Sequence, residues 1–144
     1  MRLTFEASLH RIGETLREHV APSVGDEFAR NCLRLAGGLL NICANWADDA
    51  AAIRVEENAA IRGLLGEAAA LVDKGLVRRL GEAARSADPG LRIGQLDAEN
   101  HRLRLMLVEA HAALEAQDGP APREMVQRIW RLLEDVELKR APRE

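Results

Sequence analysis

Tyrosine is absent from this sequence, and phenylalanine and tryptophan occur twice each. The β-branched residues are scarce too, with eight valines, six isoleucines and two threonines in 144 positions. Strands draw on these two residue classes, so the chain has little from which to build a sheet. Concentrated positive charge is also missing. Twenty Lys and Arg are set against 23 Asp and Glu, and the densest basic stretch is Arg78–Arg79. Phosphate backbones need a concentrated basic face, so nucleic acid is not an expected partner. The longest uncharged run, residues 35–47, falls short of the roughly 20 apolar residues of a membrane span. Residues 1–13 lack the apolar core of a secretory signal. The two cysteines are Cys32 and Cys43. On one continuous helix they stand about 16 Å apart, well beyond the roughly 4.4–6.8 Å that a disulfide bridges. Free thiols in a reducing compartment follow, and with them a cytoplasmic location.

What is abundant is alanine (24) and leucine (21), residues that lose little entropy in a helix. The 18 arginines against two lysines point to GC-rich bacterial coding rather than to function. A chain of this length can bury roughly 70% of its unfolded surface and hold a core without staples. The expected fold is all-α, a single-domain helical bundle of five to six helices over residues 1–138, with 139–144 as a frayed tail. Leu9, Ile12, Leu16 and Val20 recur at helical spacing on a first helix over 3–20. Ala21-Pro22-Ser23-Val24-Gly25 stops it, and Asp26 suits the next N-cap. The second helix, 26–46, carries Phe28, Cys32, Leu35, Leu39, Ile42 and Trp46 at steps of 4, 3, 4, 3 and 4. Leu33, Leu40 and Cys43 widen that stripe, with Arg30, Arg34 and Asn41 opposite. This width predicts the central, most buried helix. Gly37 and Gly38 in its middle predict close packing against a neighbour. Asp48 and Asp49 suit the start of a third helix over 49–65, closed by Gly66. A fourth follows over 68–87, then the Asp88-Pro89-Gly90 turn. The fifth, 91–117, is the most regular, and Pro120 opens the last.

Candidate chemistry is sparse. Leu96, Asn100, Leu103 and Leu107 form a zipper-like stripe at heptad spacing, an association seam in which Asn100 would set the register. Glu99 and Arg104 would then face each other across a parallel pair. The same stripe also fits an ordinary bundle helix whose Asn bonds a neighbour. Glu6, His10 and Glu14 share a helical face, but such polar rows are ordinarily solvated ion pairs, and no metal or other cofactor is expected. Cys32 and Cys43 lie on the apolar side of their helix and read as small buried hydrophobes rather than nucleophiles. Glu56, Glu57, Arg62, Arg78, Arg79, Arg102 and Arg104 are spaced as solvated helix faces. No glycine pattern supports nucleotide binding.

From about Leu16 to Gly66, the stretches LREHVAPSVGDEFARNCLRLAGGLLNICANW and IRGLLG resemble a family of small uncharacterised bacterial helical proteins. These are encoded beside aminoglycoside-phosphotransferase-like kinases and acyl-CoA dehydrogenases. The likeness covers about a third of the chain and consists of packing residues; Gly37–Gly38 and Cys43 depart from the pattern. It implies an accessory role beside a small-molecule kinase or acyl-CoA metabolism, and it carries over no site residue. The expected function is a non-enzymatic, self-associating interaction protein, a homodimer, with a surplus of apolar helix face as the reason. The alternative is a bundle binding an acyl or aminoglycoside-like small molecule, its pocket lined by Phe28, Cys32, Cys43, Trp46 and Trp130.

Overall fold

The structure, a computed structural model, describes residues 4–141, without the side chain of Asp48. All regular structure among these residues is helical, as the composition predicts. Helix α1 (Phe5–Glu14) runs on into a π-helical stretch at Thr15–Val20 and a 3-10 turn at Ala21–Ser23. Then follow α2 (Glu27–Ala68), α3 (Lys74–Ala84), α4 (Ile93–Glu115) and α5 (Pro120–Arg140). The second and third expected helices are therefore one. Asp48 and Asp49 would favour an N-terminus, but no Pro and no Gly stands between Gly38 and Gly63 to break the ladder. A capping residue permits a helix start without compelling one.

Where helices do begin, the chemistry is local. The Thr4 hydroxyl oxygen accepts from the Ala7 amide at 3.2 Å and caps α1. Asp26 accepts from the Ala29 amide at 2.7 Å, the cap expected for α2. Asp73 takes the amides of Gly75 and Leu76 and sets the start of α3, which shortens the segment expected over 68–87. Gly119, at φ 133°, makes the turn that leads into Pro120.

The described residues divide into two compact units, 4–50 and 51–141. In the first, α1 and the opening half of α2 meet through glycines. A Cβ on Gly13 would lie 2.7 Å from the Gly37 carbonyl oxygen, and one on Gly37 would lie 2.6 Å from that of Gly13. The two backbones thus touch, and the close approach expected of the Gly-Gly pair comes from Gly37 alone. Gly38 faces open space. Near this crossing His10 Nδ1 lies 3.3 Å from Asn41 Oδ1. The second unit has the larger core. Ile61, Leu64, Leu65 and Ala68 of α2 pack with Leu80 and Ala83 of α3, with Leu103, Leu107, Ala110 and Leu114 of α4, and with Met125 and Ile129 of α5. Of the expected frayed tail, Lys139 and Arg140 are helical, and residues 142–144 lie outside the described residues.

Candidate functional site

In the first unit much of the expected buried stripe of α2 faces out, although Leu33 and Leu40 are half-buried and Arg34 is exposed as expected. Two residues along a helix turn the side chain by about 200°, so the row of Phe28 and Leu35 stands opposite the row of Arg30, Gly37 and Ala44. Gly37 and Ala44 are buried, and Arg30 donates to the carbonyls of Val24 and Gly25. The large apolar row faces out instead: Phe28 is 78% exposed, Leu35 66%, Leu39 52% and Trp46 44%. Cys32 and Cys43 are exposed free thiols, and Ile42 is half-buried. The helix expected to be most buried is thus, within a single chain, the one that shows the most apolar surface. The cause is steric: only the side carrying Gly37 lets α1 approach, and that side is the one with arginine and asparagine.

The second unit takes in the four residues of the expected association seam. Leu96 and Leu103 are fully buried, Leu107 is 3% exposed and Asn100 6%. The seam is therefore closed within the chain and is corrected to a core stripe. Its asparagine sets an intramolecular register: Asn100 Nδ2 donates to Glu57 Oε1 at 2.7 Å and to Asn58 Oδ1 at 2.9 Å. Glu99 and Arg104 likewise find partners within the unit. Arg104 binds Glu57 at 2.7 Å. Glu99 accepts from Arg62, Arg102 and Ser86. Arg62 also reaches Asp88 at 2.7 Å, and Asn58 donates to the same Asp88 oxygen.

Glu57, expected on a solvated face, instead stands at the centre of this network, together with Asn58 and Arg140, which sequence reasoning missed. Glu57 is 3% exposed, and Arg140 closes on it at 2.6 Å from 83 positions away. Burial alone would raise its carboxyl, but hydrogen bonds from Asn100, Arg104 and Arg140 outweigh that and hold it below the ordinary value. The Glu99 carboxyl is drawn down to about 2, first by the Arg102 hydrogen bond, against desolvation, and then by Ser86 and Arg62. Both carboxylates are saturated with donors, an arrangement suited to fixing helices together rather than to moving protons. A group with a depressed folded pKa stabilises above its unfolded value and loses that contribution as pH falls. Stability should therefore decline between the ordinary 4.5 and about 2. Acid titration of helicity should show this decline, and Glu99→Gln should flatten it. An unchanged profile in the variant would place the acid sensitivity elsewhere.

Among the expected pocket residues, Phe28, Cys32 and Trp46 belong to the exposed row of the first unit, and Cys43 flanks it. Trp130 lies on α5 of the second unit, 58% exposed, edge-on to His111 with ring centroids 5.4 Å apart. The second unit's own concavities have other linings. One of about 420 Å³ is bounded by Gly66, Val77, Arg78, Gly81, Ala84 and Arg85. Among the described residues no group of three His, Cys, Asp or Glu side chains is placed to hold a metal ion, and no helix is long and apolar enough to cross a membrane. No protein-family model, no curated protein and no solved structure matches this chain.

Proposed function

We propose that this chain is an interaction module whose working surface is the outward row of α2 in the first unit, and that its role is association rather than catalysis. The observation that carries the reading is the exposure of Phe28, Leu35, Leu39 and Trp46 along one helix face. Isolated apolar residues on a surface are ordinary, but a contiguous helical row of this kind marks a docking site. The zipper-like stripe of the second unit is already buried, and Asn100, Arg104 and Arg140 are tied to Glu57; its exposed apolar residues, such as Leu91, Leu105, Val108 and Leu138, are spread over several segments. Exposed thiols at Cys32 and Cys43 fit a reducing compartment such as the cytoplasm.

Those thiols also supply the test. Their alkylation rates should be compared in intact cells producing the chain and in the purified chain at high dilution. A covered row should slow both sites in cells by about tenfold or more, as hindered access to a thiolate does. Equal rates in the two settings would overturn the reading.

A further inference from the structure

We propose, building on that reading, that the occupant of the row is a second copy of this chain, packed antiparallel along α2 from Phe28 to Trp46. The steps of 4, 3, 4, 3 and 4 are those of a two-helix seam, in which alternate a and d side chains lock between facing helices. Within the first unit α1 takes the opposite side of α2, by the Gly13–Gly37 contact, so this seam has an open face.

Three features select a copy of the same chain. The first is symmetry. The row is centred on residue 37, and reversal about that centre sets Phe28 against Trp46, Cys32 against Ile42 and Leu35 against Leu39. A two-fold interface requires such self-complementarity; here it places aromatic on aromatic and leucine on leucine. The second is charge. The residues flanking the row are Ala29, Ala36 and Cys43 on one side and Asn31, Gly38 and Asn45 on the other, all uncharged. Two copies meeting here bring no like charges together, and a lipid surface finds no cationic fringe to hold it. The third is area. At their observed exposures, the row's large side chains and two thiols present on the order of 500 Å² of apolar surface. The other flanking residues, chiefly the exposed Asn31 and Asn45, bring the total contact surface towards the roughly 800 Å² per partner of a standard interface.

The experiment is the mass of the full-length chain in solution as a function of concentration, by light scattering and sedimentation. A dimer at low micromolar concentration is expected. Leu35→Lys with Leu39→Lys should weaken it by about a hundredfold, because like charges then face each other across the seam. Leu35→Lys with Leu39→Glu should restore it, because antiparallel pairing sets each lysine against the other copy's glutamate. Both pairs of changes lie on exposed positions, and unchanged helicity at high dilution separates their effect from misfolding. A parallel dimer would leave the Lys/Glu variant as weak as the Lys/Lys one, and that result overturns the proposed pairing. A monomer at every concentration overturns self-association outright. If the thiols remain protected in cells in that case, the interaction module stands and its partner is a different protein.

Discussion

Replacing Glu57 with alanine should destabilise the second unit by about 3 kcal/mol. The carboxylate is 3% exposed, and it accepts from the Asn100 amide, the Arg104 guanidinium and the Arg140 guanidinium. Removing it strands three donors at once. The two arginines are about one-third exposed and regain some water, which keeps the loss at the lower end of the range for a broken buried ion pair. The amide of Asn100 is buried and keeps only Asn58 as acceptor. Urea unfolding measures the effect directly. Glu57→Gln, which preserves an acceptor oxygen and removes the charge, should lose about half as much. An unfolding midpoint unmoved by Glu57→Ala would show that Asn100, Arg104 and Arg140 are satisfied equally well by solvent, and the network would not be a lock.

In the first unit the largest effect should come from Gly37→Leu. A Cβ there already meets the Gly13 carbonyl oxygen at 2.6 Å and the Arg17 side chain at 2.5 Å. A backbone atom cannot swing aside as a flexible side chain can, so α1 must move away from α2. The cost should be about 3 kcal/mol, the upper end for overpacking. Gly38→Ala, one residue along, should do the opposite. Nothing lies within 4 Å of its Cβ position, so the gain in helix propensity, about 1 kcal/mol, goes uncontested. Hydrogen exchange of the amides over residues 5–50, measured at high dilution, should show faster opening in the first variant and slower opening in the second. Equal effects at the two glycines would mean that the Gly13–Gly37 contact does not hold the helices together.

The helical character of the chain was legible because it rests on composition and on spacing, both properties of the sequence. Caps such as Asp26 were legible for the same reason. The join at Asp48–Asp49 was misread because a good capping residue inside an alanine-rich run does not interrupt a helix. The orientation of α2 was not legible. A helical wheel shows that two sides differ, but it does not say which side a neighbouring helix will take, and here backbone contact at Gly37 outweighed apolar area. The role of Asn100 was half legible: its place in an apolar stripe announced a buried polar contact, but Glu57 and Asn58 stand more than 40 positions away. A signal did exist for them. Glu57 and Asn58 fall on the same helical face as Ile61, Leu64, Leu65 and Ala68, where a solvated pair would not be expected. Arg140 carried no such mark, since it lies in a stretch with no apolar anchor.

The preference for arginine over lysine, which from composition alone looks like a by-product of base content, acquires a geometric meaning in the second unit. Arg79 spans both oxygens of Glu109, Arg128 both oxygens of Glu67 and Arg102 both of Glu99. Arg62 divides its fork among Ser86, Asp88 and Glu99. An ammonium is a single point of charge and cannot hold two acceptors at fixed angles in this way. Drift of these codons toward lysine would leave the net charge of the molecule at -3 while loosening the forks that join α3 to α4 at Glu109, α5 to α2 at Glu67 and α2 to α4 at Glu99, so the electrostatic total is a poor guide to whether a sequence can hold this architecture.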